Sequence, residues 1–101
     1  MSYSLSHNAL ASSGFEAPLD TVQSYDATIA DDGIKVVAAG ITEMDTSVGT
    51  IKAALEEVDE WDNTVTIFMS DNGGTRRGHS NYPLRGGKNS FWEGGIRVEA
   101  F

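Results

Sequence analysis

With 101 residues, 40% of them apolar, the chain is one domain at most with a modest core, and its composition argues against wholesale disorder. The absence of cysteine excludes a disulfide framework, a zinc–thiolate site and a thiol nucleophile. No apolar run approaches the roughly 20 residues of a membrane span, no basic segment opens a signal peptide, and a net charge of −8 without a long basic face weighs against nucleic acid as a partner.

Residues 1–33 are polar and weakly patterned, with Asp20 or Thr21 as candidate caps of a short helical segment. Asp31-Asp32-Gly33 resembles a carboxylate pair for a metal, but it directly precedes a helical pattern, so helix capping is the better reading. From Ile34, apolar residues fall at Val37, Ile41, Met44, Val48, Ile51, Leu55 and Val58, alternately four and three apart, which predicts one long helix with a single apolar stripe. Gly40 and Gly49 weaken that helix by about 1 kcal/mol each, and mark either close packing or a break. The acidic group Glu56-Glu57-Asp59-Glu60 reads as a solvated helix end.

Asp62-Asn63 predicts a turn into Thr64–Met69, a run rich in β-branched and aromatic residues and apolar on both faces, as a buried central strand is. Helix followed by buried strand is an α/β signature, and ligands of open α/β sheets bind beyond the carboxyl ends of strands. Ser70-Asp71-Asn72-Gly73-Gly74 stands at that place, followed by a long glycine-rich loop and a short predicted strand at Ile96-Arg97-Val98.

Asp71 and Asn72 offer hard oxygen donors, which suit calcium or magnesium better than zinc or copper, although calcium takes six to eight oxygens and two do not make a site. Alone, Asp-Asn-Gly-Gly also reads as a turn, and Lys88 between Gly87 and Asn89 as a solvated loop lysine. Charge supports the ligand reading. Residues 1–75 hold two basic and thirteen acidic side chains, whereas residues 76–101 hold five basic (Arg76, Arg77, Arg85, Lys88, Arg97) and two acidic ones, a local field that attracts an anion. Arg76 and Arg77 read equally well as solvated surface. Neither His7 nor His79 has acid–base spacing, and no serine sits in a G-x-S-x-G elbow.

Taken together, the segments Asn63–Gly74, Ser80-Asn81-Tyr82-Pro83-Leu84-Arg85-Gly86-Gly87-Lys88 and Trp92-Glu93-Gly94-Gly95-Ile96-Arg97-Val98 resemble the later part of a sulfatase catalytic domain, arylsulfatase B-like in detail. Gly40-Ile41-Thr42-Glu43-Met44-Asp45 is similar to the family's helix carrying M-D-x-x-V/I-G. The match is good over 25–101 and weak over 1–24. It implies an alkaline-phosphatase-like α/β domain, here a long helix, a buried strand and a glycine-rich loop. The implied activity is calcium-assisted hydrolysis of sulfate esters, possible sulfated glycans among them, in a lysosomal or secreted setting. By the resemblance, Asp71 and Asn72 bind calcium and Lys88 contacts the sulfate.

The departures bear on activity. The family's formylglycine arises from a C/S-x-P-x-R motif, and in the one P-x-R here, Pro83-Leu84-Arg85, Asn81 stands where the nucleophile belongs. Formylglycine is therefore absent from these residues. Leu5–Ala11 is a worn copy of L-S-x-N-A-x-H, with Ala11 at the histidine position and His7 out of register. The expectation is a sulfatase fragment lacking an N-terminal half and inactive alone. The alternative is a small noncatalytic module binding calcium or a sulfated glycan, and a phosphate-ester relative is a weaker third reading.

Overall fold

The computed structural model describes residues 16–75 and 80–101. The chain forms two compact units, one ending at Asn63 and one beginning at Thr64, each described by itself below. His7, Arg76, Arg77, His79 and the Leu5–Ala11 segment lie outside the described residues.

The first unit is helical. A short helix α1 (Leu19–Gln23) is followed by the long helix α2 (Asp32–Glu57) and a 3-10 turn at Trp61–Asn63. Asp31 is the cap that the sequence suggests: its side chain accepts from the Ile34 N–H at 2.9 Å, and Asp32 places a further carboxylate at the positive end of the helix dipole. Gly49 does not break α2, and a side chain there would meet nothing within 4 Å. α1 differs from expectation: Pro18 is its N-cap and supplies no side-chain hydrogen bond, while Asp20 lies inside the first turn.

α2 ends in a glycine-type cap made without glycine. Asp59 adopts the left-handed conformation (φ 58°), the Asp59 N–H donates to the Glu56 carbonyl at 3.1 Å, and the Glu60 N–H reaches back to Leu55 at 2.9 Å. That is the paired hydrogen-bond pattern of the Schellman motif. The acidic end is exposed, as expected, and Lys52 donates to Glu56 there while lying 5.1 Å from the Trp61 ring centre.

α1 and the turn that follows it are joined to α2 by polar contacts. The Tyr25 hydroxyl lies 2.7 Å from Thr42 Oγ1, Thr21 Oγ1 donates to Glu43, and Lys35 Nζ pairs with Asp26 at 2.7 Å. The apolar stripe stays partly open: Ile41, Val48 and Ile51 are exposed, and among the described residues Ala39 is the one buried apolar side chain.

The second unit corrects the strand expectation. Thr64–Met69 forms no strand and is not buried: Val65 and Ile67 are 87% and 73% exposed. Its pairing is one antiparallel bridge, Met69 with Ala100, flanked by Phe68 and Phe101, which exchange N–H···O bonds of 2.8 and 3.0 Å and stack their rings at 5.2 Å. Ile96-Arg97-Val98 is corrected as well. Ile96 closes the helical turn α3 (Glu93–Ile96), and the paired extended stretch falls at 99–101. A central strand requires partners on both edges, and one three-residue neighbour supplies neither a ladder nor a covering layer. The described residues therefore form helices and irregular chain, without the sheet of the expected α/β class.

Candidate functional site

The glycines of the three motifs pack backbone against backbone. The Gly73 N–H donates to the Gly95 carbonyl at 3.0 Å, the Lys88 N–H to Gly74 at 3.1 Å, and the Gly94 N–H to Arg85 at 2.8 Å. Only glycine permits this at position 73, where a Cβ would sit 1.8 Å from the Gly94 carbonyl oxygen. Gly86 serves the turn itself, with φ of +85°, a region glycine enters without steric cost. Composition read these glycines as loop formers; they are contact surfaces.

The fold thus joins two of the predicted site segments. Asp71 and Asn72 lead directly into Gly73-Gly74, and Lys88 is bonded through its backbone to Gly74. Asp71 is exposed, and its carboxylate makes no hydrogen bond or ion pair among the described residues. Asn72 is half-buried and donates from Nδ2 to the Gly73 carbonyl at 3.1 Å, which leaves its Oδ1 as the chemically suitable donor to a cation. The Ser70 hydroxyl closes the corner by donating to the Asn72 carbonyl at 2.9 Å. Lys88 is half-buried, and its ammonium has no ion pair among the described residues.

Among the described residues, the other two cations of this segment are engaged. Arg85 lies 3.7 Å over the Trp92 ring, and Arg97 pairs with Glu93 at 3.1 Å. Among the described residues, an ammonium and a carboxylate without ion pairs therefore flank one glycine junction, which joins the Asp71-Asn72 and Lys88 segments through the backbone. The donor set fits a hard cation in kind but not in number. Among the described residues no group of three or more acidic, histidine or cysteine side chains is arranged to hold a metal, and calcium takes six to eight oxygens.

Two features escaped the sequence. A cleft of about 540 Å³ is lined in part by Asn72, Asn81, Tyr82, Arg97 and Glu99, but by neither Asp71 nor Lys88. Asn81, which the sequence gives no site role, is the clasp of the junction. Its Oδ1 accepts from the Gly74 N–H at 2.9 Å, and its Nδ2 donates to the carbonyls of Gly74 at 2.9 Å and Gly86 at 3.2 Å. The available signal was an asparagine amid turn-forming residues, a type that bonds nearby backbone.

Comparison with known proteins bears on the same residues. The Sulfatase family model matches residues 1–101. Among curated proteins, Arylsulfatase J of Mus musculus is 42% identical over 65 residues, covering 63% of this chain and 11% of that protein. Steryl-sulfatase of Mus musculus is 43% identical over 67 residues, covering 57% and 11%. N-acetylgalactosamine-6-sulfatase of Homo sapiens is 38% identical over 65 residues, covering 59% and 12%. The chain thus spans only 11 to 12% of the length of these relatives. No solved structure gives a significant match.

Proposed function

Because the chain belongs to the sulfatase family, we propose that it is the segment of a sulfuric ester hydrolase that carries part of a calcium and sulfate site, within a partial domain spanning 1–101. The observation that supports this reading is the Gly74 junction, which ties the Asp71-Asn72 corner to Lys88 while leaving the Asp71 carboxylate and the Lys88 ammonium without a hydrogen bond or ion pair among the described residues.

In this reading Asp71 and Asn72 supply two oxygen ligands, one anionic and one neutral, and the remaining ligands come from residues outside this set. Calcium, when bound, would supply Lewis-acid chemistry to the sulfate ester. Lys88 donates to a sulfate oxygen and offsets the negative charge that grows as the ester bond breaks, an effect strongest where water is excluded. The substrate is a sulfate ester, and the relatives named for an aminosugar sulfate, a steryl sulfate and aryl sulfates make a sulfated glycan one candidate among several. The attacking nucleophile is not provided by these 101 residues, which hold no C/S-x-P-x-R motif.

Calorimetric titration of the purified chain tests the assignment. Calcium is expected to bind weakly and to lose its heat in Asp71→Ala, while inorganic sulfate loses affinity in Lys88→Ala. An aryl sulfate offered with calcium is expected to remain intact. Sustained turnover would overturn the fragment reading, and wild-type titrations indistinguishable from both variants would overturn the site. Calcium or glycan binding at full strength, with no contribution to turnover when the chain is supplied with the rest of a sulfatase domain, would favour the noncatalytic module instead.

A further inference from the structure

The geometry points to Asn81 as a positioning residue that sets Lys88 for its anion, an inference that rests on the sulfate reading of Lys88 above. One amide does three things. It grips both polar groups of Gly74, receiving its N–H and donating to its carbonyl, and it donates a second proton to Gly86. The Gly74 carbonyl also receives the Lys88 N–H, so it accepts at once from the clasp and from the lysine's own backbone. Gly86 opens the short turn that leads to Lys88. The Asn81 amide therefore shares one acceptor, the Gly74 carbonyl, with the Lys88 backbone, and on the other side its Gly86 partner lies two residues before Lys88.

The contact is close enough to be specific. A Cβ at Gly87, the residue before Lys88, would lie 2.7 Å from the Gly74 oxygen and 2.9 Å from Asn81 Nδ2. Orientation is settled by chemistry, since only the NH2 end can donate to two carbonyls while the oxygen accepts from an N–H. Aspartate at this position has the same shape but no protons when ionised. It keeps the Gly74 N–H bond and faces two carbonyl oxygens with a negative charge. Protonation of that carboxyl at low pH returns one donor.

The test is sulfate binding by the 101-residue chain, followed through the Lys88 amide resonance with sodium sulfate as probe. Asn81→Ala, Asn81→Asp and Lys88→Ala are compared with wild type at neutral and at acidic pH. Loss of the half-buried donor pair is expected to weaken sulfate binding about tenfold in both Asn81 variants at neutral pH. On acidification the Asn81→Asp deficit shrinks and the Asn81→Ala deficit stays, a contrast that general loosening of the fold would not produce. If Asn81→Ala fails to fold, the pH recovery of Asn81→Asp carries the test. Wild-type affinity in both Asn81 variants, with Lys88→Ala weakened, would overturn the positioning role and leave the sulfate site standing. A Lys88→Ala titration equal to wild type would overturn both.

Discussion

Asp59 occupies the left-handed position that closes α2, where a side chain bears a steric cost that glycine does not. Asp59→Gly keeps both capping hydrogen bonds and removes that cost. It is expected to stabilise the helix end by up to about 1 kcal/mol, read as slower hydrogen exchange at the Glu60 amide. Faster exchange would mean that the aspartate side chain holds the turn. Lys35 gives a residue-scale dependence on pH. Asp26 first, and Asp32 after it, hold the Lys35 ammonium above its ordinary pKa of 10.5. A raised pKa stabilises the folded state while the lysine is charged, so the contribution is complete below pH 10.5 and disappears as pH climbs through the raised value. Lys35→Met is therefore expected to show a small ellipticity deficit at pH 8 that closes in strong alkali. A deficit that persisted there would assign the effect to packing of the lysine stem.

Glycine substitutions at two elements separate a helix effect from a junction effect. Gly49→Ala adds a methyl where nothing lies within 4 Å, and it is expected to stabilise α2 by about 1 kcal/mol in thermal or denaturant melts. Gly73→Ala drives a carbon into the Gly94 carbonyl and is expected to shift the Lys88 and Gly95 amide resonances. Unchanged Lys88 and Gly95 signals would show that the junction yields without consequence. The same contrast explains what the sequence made legible. The α2 stripe and the Asp31 cap are local, because spacing within one turn decides them, and both were read correctly. The segment Thr64–Met69 has strand composition, but a ladder depends on neighbours that composition does not report. The glycine junction was hidden for a related reason: Gly73, Gly87 and Gly94 look like loop residues one at a time, and their packing appears only when three distant motifs meet. Asn81 was missed with them, since its three partners are backbone atoms with no sequence signature.

At the scale of the whole molecule, exposed apolar chain competes with net charge. Val65, Ile67 and Met69 alternate along a segment whose pairing is one bridge, and Phe91 and Phe101 are 98% and 85% exposed. Burying a side chain such as Val65 or Ile67 is worth about 1.5–3 kcal/mol, so an edge of this composition recruits a second copy of the chain when no other strand covers it. The net charge of −8 opposes that encounter, and its repulsion has a range of about 10 Å at 0.1 M salt and about 3 Å at 1 M. Self-association is therefore expected to rise with ionic strength as well as with protein concentration. Sedimentation velocity in low and high salt reads this directly. Val65→Glu combined with Ile67→Glu removes two edge anchors and adds like charge, and is expected to keep the chain monomeric under both conditions. With Ala39 the single buried apolar residue among those described, the monomer is also expected to unfold gradually on heating rather than in one sharp step. A monomeric wild type in high salt with a steep, reversible transition would show that the exposed edge is covered from within the chain.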